Sequence, residues 1–102
     1  MRPSINLARY DLVSVRLAVF CAESGTLSSA AKRANMSLSR ASYRLTSLED
    51  CVGHRLFHRR CNGLEVTQAG AILVGRGKEL LRTIEEMGGL LAQVAEIDAP
   101  QT

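Results

Sequence analysis

Residues 26–49 have the sequence TLSSAAKRANMSLSRASYRLTSLE, in which two stretches of helical periodicity meet at a tight turn. We predict the first helix of this pair over residues 26–35, where small alanines allow another helix to approach closely. Asn35 can form the turn because asparagine is one of the few residues other than glycine that tolerates a left-handed conformation. The apolar side of this helix consists of Leu27, Ala30, Ala31 and Ala34.

The second helix of the pair is predicted over residues 37–51, with the Ser37 hydroxyl as its N-cap. At 100° per residue its apolar residues fall on one face, which we expect to be buried. That inner face consists of Ala41, Leu45, Leu48 and Val52. The opposite face is small, hydroxylated and mostly free of acids near its start. It consists of Ser39, Tyr43, Thr46 and Asp50, with Arg40 and Ser47 nearby.

A further helix is predicted before this pair, over residues 11–24, with Asp11 as its N-cap and Gly25 as its stop. Its apolar residues recur every three or four positions, as expected of a helix with one buried face. They are Leu12, Val15, Val19 and Ala22, with Phe20 beside them.

A β-hairpin is predicted after the helix pair, with strands in residues 56–61 and 64–67. Asn62-Gly63 lies between them and is the dipeptide that most favours a type I′ turn. Arg59 and Arg60 would then project from the tip of the hairpin.

The last segment, residues 67–97, is predicted as one long helix capped by Thr67. Its apolar residues, together with Gly77, step alternately by four and three, which is a heptad seam suited to a partner helix. The alternative is that this face packs back on its own domain as core. The apolar seam consists of Leu73, Leu80, Ile84, Met87, Leu91 and Val94.

The composition indicates one folded domain and excludes several classes of protein. The chain has 102 residues, of which 46% are hydrophobic and 23% charged, so it can bury one core but not a deep substrate cavity as well. Residues 1–66 contain ten basic and five acidic residues, a net charge of +5. Residues 67–102 contain three basic and five acidic residues, a net charge of −2. The first part should therefore be attracted to a polyanion.

The same sequence leads us to expect a cytoplasmic protein without a membrane segment. No apolar run approaches the length needed to cross a bilayer, and we recognise no signal peptide at the start. Three cysteines, an odd number without the spacing of a secreted disulfide framework, favour reduced thiols. Cys21 is expected in the core.

Two helices joined by a tight turn and followed by a basic hairpin form a winged helix-turn-helix. Residues 11–96 resemble the amino-terminal DNA-binding domain of LysR-type transcriptional regulators. The resemblance is carried by AESGTLSSAAKRANMS, by S-x-x-S-x-x-L-x-x-L-E from Ser39 to Glu49, by VGHRLFHRR and by VTQAG, in that order.

The resemblance implies a mainly α fold: a three-helix core plus a β-hairpin wing, followed by a long linker helix through which two chains pair. On this basis we divide the chain into a DNA-binding domain over residues 1–66, a dimerisation helix over 67–98 and a tail or linker over 99–102. Family members usually continue into an effector-binding domain, which we expect to be missing from this chain, whether it is a fragment or a naturally short protein.

Three positions depart from the common pattern of the family. Ala18 replaces the usual Phe, whose space Phe20 would fill; Leu38 replaces a Gln that often contacts a base; Tyr43 replaces a frequent Arg or Lys. The last two leave the identity of the DNA site open, while the docking mode is unaffected.

We expect this chain to bind double-stranded DNA as a homodimer, with helix 37–51 in the major groove and the wing, residues 56–66, at the minor groove. Arg40 can contact guanine or, alternatively, only phosphate, and Leu38 can touch only a thymine methyl group. The expected base-reading residues are Leu38, Ser39, Arg40 and Tyr43. The expected phosphate-contacting and wing residues are Ser28, Lys32, Arg33, Ser37, Ser42, Arg44, Arg59 and Arg60.

Other kinds of site are less well supported by the sequence. Cys51, His54, His58 and Cys61 offer two thiols and two imidazoles, but their spacing is not that of the usual structural zinc site. Glu49 is interpreted as a structural partner for Arg55 or Arg59, because no second carboxylate or histidine lies at a matching place for acid–base catalysis. We predict no enzyme activity, cofactor or metal.

A second functional class remains open. A shortened regulator could act as a protein-interaction module that pairs through its heptad helix with full-length relatives. Both hypotheses use the same seam, and the basic helix and wing favour DNA binding.

Overall fold

The computed structural model describes residues 9–94, which form four helices and one two-stranded antiparallel sheet. The elements are α1 (Leu12–Ser24), α2 (Leu27–Arg33), α3 (Leu38–Val52), β1 (Phe57–Arg60), β2 (Gly63–Val66) and α4 (Gln68–Ala92). The predicted class, a mainly helical winged helix-turn-helix followed by a long helix, is confirmed. The last helix ends at Ala92, with Gln93 as its C-cap, and the predicted end near residue 97 is wrong. The N–H groups of Gln93 and Val94 donate to carbonyl oxygens only three residues earlier, which tightens the last turn and ends the helix. The predicted tail over residues 99–102 lies outside the described residues.

Local signals correctly predicted the N-caps of α1, α3 and α4. The side chains of Asp11, Ser37 and Thr67 accept hydrogen bonds from the backbone N–H groups three residues later, as N-caps do. Gly25 ends α1 with φ 79°, and Asn35 adopts φ 56° in the turn between α2 and α3. These short-range interactions therefore fix the helix-turn-helix before any long-range contact is considered.

The buried face of α1 differs from the predicted one. Leu12 is 45% exposed and Ala22 is also exposed, whereas Leu17, Ala18 and Cys21 are buried. The reason is that α1 is the central helix, which packs against α2 and α3 on one side and against α4 on another. Two buried faces blur the single apolar stripe on which the prediction relied.

The hairpin turn also differs from the prediction. Arg60 pairs with Gly63, so the turn consists of Cys61 and Asn62, and neither has the positive φ that a type I′ turn requires. Gly63, with φ 136°, is needed for another reason: a Cβ there would lie 2.6 Å from the carbonyl oxygen of Gly25. The N–H of Leu64 donates to that oxygen at 2.8 Å, which fastens the wing to the α1–α2 turn.

Glu49 is structural, as predicted, but its partner is not an arginine. Its carboxylate Oε2 accepts hydrogen bonds from the backbone N–H groups of Leu56 at 2.8 Å and Phe57 at 3.3 Å. The side chain is largely enclosed, with Glu49 only 7% exposed. We call this contact the Glu49 clamp; it joins the last turns of α3 to the start of β1.

The first third of α4 belongs to the core of the domain. Leu73, Val74 and Gly77 are buried, and a Cβ at Gly77 would come within 2.8 Å of Val15 Cγ1 on α1. Leu73 was predicted to be a dimerisation residue, but it is a core residue of its own chain. At this position the alternative prediction, that the seam packs on its own domain, is correct. From Leu80 onward the same face of α4 is largely exposed.

Replacing Gly70 by alanine should destabilise the protein, because the added methyl group would overlap the carbonyl oxygen of Leu56. We expect a loss of about 1–3 kcal/mol in the free energy of unfolding, measured by urea denaturation. Gly75→Ala is the matched control on the same helix, since nothing lies within 4 Å of its added methyl, and it should stabilise by up to about 1 kcal/mol. Equal effects of the two variants would contradict this packing.

Candidate nucleic-acid interface

The amino-terminal half of α3 has one buried face and one face exposed to solvent. Its inner residues Ala41, Leu45 and Leu48 are fully buried, which fixes the rotation of the helix about its axis. The opposite face is consequently open, and Tyr43 is 74% exposed. The structure brings all four predicted base-reading residues together on this exposed surface: Leu38, Ser39, Arg40 and Tyr43.

The charge around this surface is one-sided. Residues 24–48 contain no aspartate or glutamate but include Lys32, Arg33, Arg40 and Arg44. The acids that bound this interval are Glu23 on α1 and the buried Glu49. An exposed helical face flanked by cations and hydroxyls can approach a polyanion without like-charge repulsion.

Arg44 is engaged inside the protein. Its Nη1 lies 3.1 Å from Asp11 Oδ2, and it also donates to the Ser14 hydroxyl at 3.4 Å. Burial alone would raise the pKa of Asp11, but the hydrogen bonds from Ser14 and Arg44 outweigh it and hold that pKa below its ordinary value. Arg44 thus ties the start of α1 to α3, which the sequence did not indicate.

The wing arginines are not both at its tip. Arg59 lies against α3, where it donates to the hydroxyls of Ser42 at 3.3 Å and Thr46 at 3.5 Å. Arg60 pairs across the hairpin with Glu65 at 3.0 Å, and this hydrogen bond lowers the pKa of Glu65. Arg59 therefore belongs to the surface of α3, and the expected projection of both side chains from the tip is wrong.

The predicted phosphate-contacting residues of α2 have mixed surroundings. Arg33 forms an ion pair with Glu23 at 3.0 Å. Its guanidinium carbon also lies 4.1 Å from the centroid of the Phe20 ring, and that of Arg16 lies 4.9 Å from the same centroid. Ser28 and Lys32 are exposed. The Ser37 hydroxyl accepts a hydrogen bond from the N–H of Arg40 as the N-cap, and its own proton stays available to donate to a phosphate.

Sequence reasoning missed Arg9, which precedes α1 and contacts α3. Its Nε donates to the Ser47 hydroxyl at 3.1 Å and its Nη2 to the Ser47 carbonyl oxygen at 3.2 Å. Nη2 also lies 3.7 Å from Asp50. Nothing in the spacing of Arg9 indicated a contact with residues 38 positions later.

An apolar groove of about 720 Å³ runs between α1, β1 and the first half of α4. Val15, Leu56, Ile72, Leu73 and Leu80 contribute its apolar walls. The predicted seam continues from this groove along α4 through the half-buried Ile84 and the exposed Met87 and Leu91. Its last residue, Val94, is exposed and lies two residues beyond the end of the helix.

The remaining reactive side chains do not form a site. Across residues 9–94, no three His, Cys, Asp or Glu side chains are grouped as a metal ion requires. Burial raises the pKa of the Cys21 thiol to about 11, so the thiol stays protonated in the core. The described helices include none with the length and hydropathy needed to cross a membrane.

The chain is similar to known bacterial regulators. Residues 12–71, more than half of the chain, match the sequence model of the bacterial regulatory helix-turn-helix protein, lysR family. The transcriptional activator AllS of Klebsiella pneumoniae is 35% identical over 88 residues, which are 86% of this chain and 33% of AllS. The chain therefore spans about a third of the length of that relative.

Solved structures share the fold. The BenM_DBD/catB site 1 DNA complex has a TM-score of 0.79 at 21% identity and covers 84% of this chain and 97% of that one. DarR of Vibrio fischeri, also solved in complex with DNA, has a TM-score of 0.78 at 22% identity and covers 87% of this chain and 30% of that one.

Asp11→Asn tests the brace between α1 and α3. Asparagine is an equally good N-cap, so the variant removes mainly the charge that faces Arg44. Because the pKa of Asp11 is lowered by folding, its charge stabilises the protein above pH ~4, and this contribution is lost as the pH falls through the folded-state pKa. The free energy of unfolding of the variant should be lower at pH 7 and converge with the parent value in acid.

The control for this measurement is Glu79→Gln, which removes an exposed i,i+3 pair with Arg76 and should change stability little at any pH. A constant difference between Asp11→Asn and the parent protein from pH 7 to pH 3 would contradict the assigned brace.

Proposed function

Since this chain belongs to the lysR family of bacterial regulatory helix-turn-helix proteins, we propose that it binds specific double-stranded DNA sequences as a homodimer and thereby regulates transcription. Helix α3 enters the major groove with its amino-terminal half leading, and the wing lies at the adjacent minor groove. The major groove admits one helix and presents a distinct pattern of donors and acceptors for each base pair.

One observation carries this proposal: the exposed, acid-free face at the start of α3. Most of α3 is packed on the core through Ala41, Leu45 and Leu48, so the other face is presented rigidly. A rigid cationic helix loses little conformational entropy when it enters a groove. No catalytic arrangement among the described residues competes for this surface.

The side chains on this face would divide between base and backbone contacts. Arg40 takes part in none of the ion pairs formed within residues 9–94, so its guanidinium is available for a bidentate contact to guanine. Ser39 and Tyr43 offer hydroxyls beside it, and Leu38, 53% exposed, can contact a thymine methyl group. Lys32, Ser28 and Ser42 would set the register on phosphates.

The exposed seam of α4 supports pairing of two chains. Leu80, Met87 and Leu91 remain at least 46% exposed although they follow one face of a regular helix, and Val94, just after its end, is 50% exposed. Covering this face with the same face of a second chain removes apolar surface from water, and two recognition helices then meet a two-fold-symmetric site. The apolar groove beside Leu80 extends the surface that a second α4 would cover.

The alternative, a module that only pairs with longer relatives, uses the same seam of α4. Lys32 and Arg40 favour DNA binding, because they are exposed, form no ion pair within residues 9–94 and have no role in pairing through α4. Titration of the chain with duplex DNA separates the two functions: absence of binding to any duplex at ~50 mM salt would exclude DNA binding, since non-specific phosphate contacts are strong under that condition.

Arg40→Ala should weaken binding to a selected duplex about tenfold or more and relax the preference at one base pair, as expected for loss of a bidentate contact worth about 1–3 kcal/mol. Selection of bound duplexes from a random pool, followed by fluorescence anisotropy, measures both effects. Lys32→Ala is the comparison: it should weaken all sequences alike. Uniform weakening by Arg40→Ala as well would assign Arg40 to phosphate.

Leu91→Glu should dissociate the dimer, because it would bury an unpaired carboxylate in the seam. We expect the dimer dissociation constant to rise at least about tenfold in analytical ultracentrifugation. Gln93→Glu adds the same charge on the other side of α4 and should leave the dimer intact. Dimerisation unaffected by Leu91→Glu would exclude this face as the interface.

A further inference from the structure

Arg9 lies before the segment that matches the family, which begins at residue 12, yet it is held firmly on α3. Its hydrogen bonds to Ser47 use the Nε proton and one Nη2 proton. The same Nη2 lies 3.7 Å from Asp50 Oδ2. A guanidinium group carries five N–H donors. These contacts therefore orient the side chain and still leave donors for a ligand.

Arg9 contributes to one wall of a small polar cleft of about 190 Å³. The cleft follows one edge of α3, because its residues recur at the i, i+3, i+4 and i+7 positions of that helix, and it faces the start of α1. Its complete lining is Arg9, Ser14, Arg40, Tyr43, Arg44 and Ser47.

The cleft has the donors and the charge to bind an anion. Three guanidinium groups, from Arg9, Arg40 and Arg44, meet two carboxylates, from Asp11 and Asp50, so one positive charge is in excess. The hydrogen bonds of Arg44 to Asp11 and Ser14 involve only its Nη1. No hydrogen bond within residues 9–94 engages its Nε and Nη2 protons, and a guanidinium fork matches the geometry of phosphate oxygens.

We propose that this cleft binds a backbone phosphate of the DNA on which α3 is docked, and that Arg9 is one of its ligands. The inference rests on the proposed DNA binding and adds a contact from outside the helix-turn-helix. A DNA phosphate is favoured over a free anion because the cleft shares Arg40 and Tyr43 with the exposed face of α3. A duplex on that face would pass one sugar–phosphate strand along this edge.

The test uses the full 102-residue chain and a selected duplex, with the dissociation constant measured by anisotropy between about 50 and 200 mM salt. Arg9→Ala should weaken binding about three- to tenfold, equally for selected and random duplexes. It should also reduce the slope of log K against log salt by about 0.9, the value for one phosphate contact. Arg82→Ala, an exposed arginine on the charged side of α4, is the charge-matched control and should leave the slope unchanged.

Asp50→Asn separates a phosphate ligand from a structural brace. Removing this exposed carboxylate, which repels a phosphate, should tighten DNA binding about two- to fivefold. If Arg9 only fastened the chain to α3, the same substitution would lower the melting temperature and leave DNA affinity unchanged or weaker. That outcome, or a slope unaltered by Arg9→Ala, would overturn the proposal.

The source of the phosphate is tested separately with inorganic phosphate. Stabilisation of the parent protein but not of Arg9→Ala by phosphate, with an unaltered slope for DNA, would identify a site for free anions and overturn the DNA contact. Failure of the parent protein to bind any duplex would refute the proposed function itself. Normal binding by both the parent and Arg9→Ala would refute only this inference.

Discussion

The geometry of the interface depends on one buried carboxylate. Glu49 comes from the last turns of α3 and accepts hydrogen bonds from the N–H groups of Leu56 and Phe57, which would otherwise be buried without partners. The carbonyl oxygen of Leu56 accepts a hydrogen bond in turn from the N–H of Thr67 at 3.0 Å. Leu56 therefore links α3, β1 and the start of α4, and a buried charged acceptor is costly to remove.

This constraint turns three separate elements into one surface. The wing is held at one end by the Glu49 clamp and at the other by the hydrogen bond from Leu64 to Gly25. Helix α3 is held by its apolar face and by Arg44, which reaches Asp11 across 33 residues. Because these contacts exist before any ligand binds, docking on DNA would require little further ordering.

The cations of the chain serve two purposes that their sequence positions do not separate. Arg44 and Arg60 form ion pairs within the domain, whereas the exposed Arg40 and Lys32 form none with the described residues. Arg59 is intermediate, since it lies on the hydroxyls of Ser42 and Thr46 and has no carboxylate there. The net charge therefore overstates the number of cations that are free to contact a nucleic acid. The positions of these side chains in the fold determine which of them can do so.

The sequence by itself determined the helix-turn-helix, its caps and the left-handed Asn35, and its order of motifs matched the family. These features depend on interactions between residues about four positions apart, which spacing and residue type record directly. It also predicted that the proposed base-reading residues share one exposed surface, because the buried face of a helix defines the face opposite it.

The packing of distant elements settled the points that spacing left open. It selected the backbone partners of Glu49 and the position of the wing turn. It also placed Leu73 in the core, left the seam exposed from Leu80 and brought Arg9 onto α3. Each of these depends on the angle and distance at which distant elements pack, and many packings are compatible with the same periodicity. Gly63 illustrates the difference. Its local pattern predicted a turn residue, but the close approach of Gly25 is what requires a residue without a side chain.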